Sequence, residues 1–194
     1  MTWLQTRSAR AFDFARPSPD EIEIEDIAHA LGHTCRFLGH SRAFYSVAEH
    51  SVHVAALLMP AGRHLARWGL LHDAHEAYVG DVPSPLKRLL PEYRRLEHIA
   101  GSAVRLKFGL VGPVLKPVKA VDAMILQFEA AALCEPPPRP WEKTDCSWPA
   151  GSGSLALGWQ PPCWSPLEAR DRFLSLFSVL FPEHRRVGAA RGGR

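Results

Sequence analysis

Four residues in this chain have the types and order to hold a metal ion. They are His50, the adjacent pair His72-Asp73, and Asp122. Neutral imidazole nitrogen and carboxylate oxygen suit a divalent cation such as Zn, Mn, Co or Fe. On a helix each residue turns about 100°, so with His72 at zero, Asp73 lies near ~100° and Glu76 near ~40°. Leu70, Ala74 and Ala77 fall on the opposite side. One face is therefore acid and imidazole, the other apolar. A neighbouring His and Asp reach one ion only by diverging around it, so other helices must supply further ligands. His50 shares a helical side with Val47, Val54 and Leu57, and Asp122 sits among Val118, Ile125, Leu126 and Leu133. A histidine and a carboxylate on core-facing stripes need partners, because an unpaired buried charge costs several kcal/mol. A shared metal would satisfy both. Taken singly, each residue has a blander reading as a hydrogen-bonded core histidine or a salt-bridged aspartate. The ordered set on three predicted helices is the stronger signal.

The elements that must position these groups are helical. Acidic residues Glu21, Glu23, Glu25 and Asp26 precede Ile27, Ala30 and Leu31, which suits a helix N-terminus. Ser46 with Glu49 at the third position has the capping-box pattern and opens a helix running to about Met59. The next helix is predicted from Arg63 to Tyr78, stopped by Gly80. A short helix follows around Leu86 to Leu90, then one from Glu92 to Phe108, then one opened by Pro117 and continuing to Leu133. Residues 135–164 are rich in Pro, Gly, Ser and Trp and read as an irregular surface strap. Residues 165–181 read as a last helix, and the Arg/Gly-rich tail, 182–194, as mobile. The first fifteen residues can form a short hairpin. The expectation is one all-α domain, 1–194, a bundle of six to seven helices.

Bulk properties restrict the function classes. A chain of 194 residues can bury a real core. The formal charge of +3 is too small to argue for a stable nucleic-acid partner, yet it tolerates a small anionic ligand. The four cysteines form no CxxC pair, the N-terminus carries no signal-peptide pattern, and no stretch approaches the ~18–20 apolar residues of a membrane span. These features lead us to expect a cytoplasmic protein with reduced thiols and no membrane association, and they leave homo-oligomerisation open.

Three segments carry a family resemblance: Ser46-Val-Ala-Glu-His-Ser51, Leu71-His-Asp-Ala-His-Glu76 and Gly80-Asp-Val-Pro-Ser-Pro-Leu-Lys87. Together they resemble the HD-domain phosphohydrolases, above all the YfbR-like 5′-deoxynucleotidases and the phage dATP triphosphohydrolases. The resemblance spans residues 24–133. It implies an HD-domain helical bundle in which His50, His72, Asp73 and Asp122 bind a divalent ion (Zn, Co, Mn, Fe or Mg). It also implies catalytic or substrate-positioning roles for Glu76 and Asp81, a (deoxy)nucleotide substrate, and release of phosphate or tripolyphosphate by an activated water. The residues permit that chemistry independently. Glu76 is placed to orient or deprotonate a water, and Asp81 follows Gly80 past the helix end. Arg36, Lys87 and Lys119 are the candidate phosphate binders, Lys119 lying one turn before Asp122. His33, His40, His53 and His75 are read as supporting or surface groups. Two rivals are a regulatory nucleotide-binding domain without turnover, against which Glu76 and Asp81 argue, and a signalling-nucleotide phosphodiesterase.

Overall fold

The computed structural model describes residues 2–141 and 149–184. The fold is all-α with a short N-terminal hairpin. Strands β1 (Trp3–Gln5) and β2 (Ala11–Asp13) pair antiparallel, with Leu4 opposite Phe12. Then come α1 (Ile24–His33), α2 (Val47–Leu58), α3 (Arg63–Leu71), α4 (Glu76–Val79), α5 (Ser84–Lys87), α6 (Pro91–Lys107), α7 (Lys116–Leu133) and α8 (Pro166–Leu180). Six of these are real helices and two, α4 and α5, are single turns. Among the described residues no helix is long and apolar enough to cross a membrane.

Helix α2 is the hub, packing against α1, α3, α7 and α8. Its Val47, Val54 and Leu57 are buried, as the stripe through His50 requires. Helix α8 closes the bundle with Phe173, Phe177 and Leu180, spaced i, i+4 and i+7 on one buried face. The hairpin is pinned by Phe12, fully buried and stacked on Tyr78 of α4 at 3.9 Å between ring centroids. Burying such a side chain stabilises by about 1.5–3 kcal/mol, enough to hold a hairpin of three-residue strands that would not persist alone.

The strap is irregular where it is described, and it is tied to α2. Gly153 N–H donates to the Leu57 carbonyl at 2.7 Å. The carboxylate of Glu49 accepts from the backbone N–H of Cys163 at 2.9 Å and of Trp164 at 2.7 Å. The predicted capping box is therefore half formed. Ser46 Oγ accepts from Glu49 N–H at 3.1 Å, but the Glu49 side chain turns to the strap instead of reaching back to Ser46. Trp159 and Trp164 find cover against His53, and Arg172 lies over Trp164. Cys35, Cys134 and Cys163 are free thiols; Cys146 lies outside the described residues. Of the predicted mobile tail, Pro182–His184 forms a 3-10 turn with the His184 ring against Phe108, and the remainder lies outside the described residues.

Two predicted elements are corrected. The helix expected from Arg63 to Tyr78 is two pieces, interrupted at 72–75. Hydrogen bonds there shorten to i→i−3, with Ala74 N–H on Leu71 O and Glu76 N–H on Asp73 O. The residue types contain no breaker. The cause is the His72 side chain, whose Nδ1 lies 2.7 Å from the Gly69 carbonyl. That carbonyl is one of the last in α3, where intrahelical partners run out. The short helix expected at Leu86–Leu90 also sits earlier, at Ser84–Lys87, because Pro85 suits the first turn.

Gly69 links this break to the packing. A Cβ there would lie 2.8 Å from Leu58 Cδ1 and 3.1 Å from Ala55 Cα, so α3 crosses α2 at glycine contact distance. Gly69→Ala should lower stability by about 1–3 kcal/mol through overpacking, read from urea unfolding. Unchanged stability would show that the two helices can separate freely.

Candidate metal centre

Three helical segments deliver the site. Helix α2 presents His50, the α3–α4 break presents His72 and Asp73, and α7 presents Asp122. His50 Nε2 lies 3.3 Å from His72 Nε2 and 3.1 Å from Asp122 Oδ1. Asp73 Oδ2 lies 3.1 Å from His72 Nε2 and 3.8 Å from His50 Nε2. His72 Nε2 is 3.8 Å from Asp122 Oδ1. The donor atoms of His50, His72 and Asp122 all fall within 4.8 Å of one another. Around an ion with bonds of about 2.1 Å, neighbouring ligand atoms stand roughly 3–3.5 Å apart. Three of the five separations fall in that range and the two of 3.8 Å exceed it; Asp73 joins the group through His72, outside the trio of His50, His72 and Asp122.

The tautomers support the same fit. His72 Nδ1 faces the Gly69 carbonyl, which can only accept, so the ring proton is on Nδ1. His50 Nδ1 donates to Glu129 Oε1 at 2.6 Å. Neutral rings held this way point two Nε2 lone pairs at each other and at two carboxylates. Only protons or a cation can relieve that arrangement. Burial opposes charging both rings, yet Glu129 and Asp122 raise His50, and Asp73 with Asp122 raises His72 well above the ordinary value. Conversely, burial would raise Asp73 and Asp122, but the two imidazoles pull both carboxyls well down. The site is buried on its floor and opens at Asp122, whose side chain is 38% exposed against 0% for His50.

Glu129 is the residue that sequence reading missed. It is fully buried and seven residues after Asp122, two turns along the same face of α7. Besides His50 it accepts from Tyr45 Oη at 2.7 Å, and its second oxygen lies 3.2 Å from the Arg36 guanidinium. Burial would raise its carboxyl, but Arg36 and His50 bring it down to about 2. The signal was present: Val118, Asp122, Ile125, Glu129 and Leu133 form one stripe, and its second acid needed a partner as much as its first. Leu126, assigned to that stripe from sequence, is only half-buried.

The other expected residues divide. Arg36 is in the site, nearly buried, its guanidinium between Glu129 and Asp73 at 3.2 and 3.9 Å. The chain after it takes left-handed conformations at Phe37 and Leu38, with φ of 55° and 52°. Glu76 is buried, with one oxygen 3.5 Å from Lys87 Nζ and the other without a hydrogen-bond partner. Burial first, then Asp73 and Asp81, raise its carboxyl well above the ordinary value. Burial also raises Asp81, with Asp73 adding to the effect and Arg36 opposing it. Both acids therefore face the same group of charges. Lys87 is turned toward carboxylates, hydrogen-bonded to Glu97 and close to Glu76. His75 Nε2 meets the same Glu97 oxygen at 3.4 Å. His75, Glu76 and Glu97 thus form a second donor group, whose cation is the Lys87 ammonium. Lys119 is exposed, one turn before Asp122. His53 lies by Glu49 and the strap tryptophans, His33 by His29, and His40 on the surface.

No protein-family model matches this chain. Two curated proteins do. Uncharacterized protein YfdR of Escherichia coli (strain K12) is 43% identical over 129 residues, covering 66% of this chain and 71% of that protein. Uncharacterized protein RCAP_rcc00048 of Rhodobacter capsulatus is 38% identical over 139 residues, covering 66% of this chain and 71% of that protein. This chain belongs to their family. Neither name assigns a reaction, so the chemistry has to be argued from the geometry above.

His72→Ala and Asp73→Ala each remove a donor from the set and should leave purified protein without tightly bound divalent metal. Elemental analysis against the wild type checks this. An Asp73→Ala protein that retains one equivalent would sink the proposed ligand set.

Proposed function

We propose that this protein is a metal-dependent phosphohydrolase of the HD superfamily acting on (deoxy)nucleotides. The observation that carries the reading is the convergence of His50, His72, Asp73 and Asp122, with both Nε2 atoms bare and both Nδ1 atoms held from behind. A divalent ion bound there supplies Lewis acidity, making water more acidic and polarising a phosphoryl oxygen.

The chain's own groups supply the rest. Water attacks phosphorus, the P–O bond to the leaving group breaks, and the attacking water must lose a proton. Glu76 is the acceptor, through the buried oxygen that has no hydrogen-bond partner. Burial with Asp73 and Asp81 raises its carboxyl, which makes it a stronger proton acceptor than an ordinary carboxylate, and the Lys87 ammonium 3.5 Å away opposes that rise. Burial raises Asp81 as well, which suits it to carry a proton. Arg36 is the cation nearest the ligands and the group best suited to fork onto phosphoryl oxygens. Lys119 lies on the open side with Asp122, where the distal part of a substrate would extend.

The test is a release assay over nucleoside mono- and triphosphates with Mn, Co, Zn and Mg, scoring phosphate and tripolyphosphate separately. No turnover with any metal would end the hydrolase reading. Glu76→Ala should keep the metal and the fold but lower kcat by about 10²–10⁴. Parallel loss of metal would make Glu76 a ligand instead. If Lys119 serves a polyphosphate, Lys119→Ala should reduce kcat/KM for dATP by roughly 1.5–3 kcal/mol of binding and spare dAMP. Equal losses would confine it to the α-phosphate, and no loss would return it to the solvated surface.

A further inference from the structure

Glu129 accepts hydrogen bonds from two groups and forms an ion pair with a third. One oxygen takes His50 Nδ1–H at 2.6 Å and Tyr45 O–H at 2.7 Å, and the other faces the Arg36 guanidinium at 3.2 Å. The carboxylate is fully buried, so water cannot replace any of these partners. Among the described residues no other acceptor meets His50 Nδ1, so the ring has no second way to be fixed. Arg36, for its part, stands between Glu129 and Asp73, a metal-binding acid.

The geometry points to Glu129 as a positioning residue that sets metal affinity. It holds His50 in the tautomer that bares Nε2, and it keeps the Arg36 charge from settling on Asp73 in place of the metal. This rests on the metal-site reading above and adds to it a residue that touches neither metal nor substrate. Without the carboxylate, the His50 proton can move to Nε2, which closes that donor. Arg36 also loses its nearest counter-charge and has Asp73 as the next one, 3.9 Å away. Both consequences weaken the ion and neither needs the fold to change. A carboxylate behind a ligating histidine is commonly worth about 10–100-fold in metal affinity.

The experiment is titration of metal-free protein with Co(II), following its visible absorption, in wild type, Glu129→Gln, Glu129→Asp and Tyr45→Phe, with thermal unfolding measured alongside. Glu129→Gln should weaken Co(II) by about 10–100-fold. Glu129→Asp keeps the charge but withdraws it by one methylene, so it should fold and show a smaller loss. It carries the test if the Gln variant does not fold. Tyr45→Phe removes a buried hydrogen bond to the same carboxylate, yet should bind Co(II) within about threefold of wild type, since His50 and Arg36 keep their partner. Wild-type affinity in a folded Glu129 variant overturns the proposal, as does an equal loss in Tyr45→Phe, which would make the effect one of packing. A wild type that takes up no Co(II) at all sinks instead the metal-site reading on which the proposal rests.

Discussion

Two imidazole nitrogens facing each other at 3.3 Å inside a protein are the constraint from which the rest follows. Each ring has its other nitrogen engaged, so the facing atoms are lone pairs in the neutral state. The surrounding charges sharpen the demand. Asp73, Asp122 and Glu129 lie against the two rings, and Arg36 pairs with two of these acids, so negative charge outweighs positive around the facing nitrogens. A divalent cation or added protons would reduce that excess. Buried charge of this size does not persist without such compensation, because removing it from water costs several kcal/mol per ion.

The bundle is arranged to keep these atoms where they are. Helix α2 packs against four other helices and carries His50, whose ring is fully buried and held from behind by Glu129. Helix α3 approaches α2 at Gly69, and the carbonyl of that same glycine aligns His72. Close helix packing and ligand orientation thus come from one residue. Glu49, next to His50 in sequence, faces the opposite way and fastens the strap by two backbone N–H groups. Neighbouring acid and imidazole on α2 therefore serve two tasks, one anchoring the strap and the other building the site.

Much of this was legible in the sequence, and the failures have physical causes. The apolar stripes located the helices, because a 3.6-residue period survives in long amphipathic segments such as those around His50 and Asp122. The break at 72–75 was not legible, since it comes from a side chain competing for a carbonyl and not from a helix-breaking residue. The face angles expected for Asp73 and Glu76 assumed an unbroken helix and do not describe the turn, although both residues do reach the cleft. The capping box formed only its Ser46 half for a related reason: Glu49 has a partner 114 residues away, and local pattern carries no record of it. Glu129 was legible in the stripe of α7 but was passed over, and Glu97 was hidden because an acid within a helix reads as solvated until a partly buried cation is known to face it.

The positions of the basic residues bear on how the site treats a phosphate. Lys87, from sequence alone a phosphate binder, gives its charge to Glu97 and Glu76. A phosphate would have to compete with two carboxylates for it, in a partly buried pocket where such pairs are strong. Its local effect is then on Glu76, where it opposes but does not outweigh burial, Asp73 and Asp81. Arg36 is similarly engaged on one side by Glu129 but keeps the rest of its fork toward Asp73. Lys119 alone of the three is exposed. Charge close to the four proposed ligands is thus already committed to ordering acids, while the uncommitted charge lies outward, one turn before Asp122 on α7. On the proposed phosphohydrolase reading, a substrate with one phosphate would draw mainly on a bound ion and Arg36, and only a longer anion could reach the outer lysine.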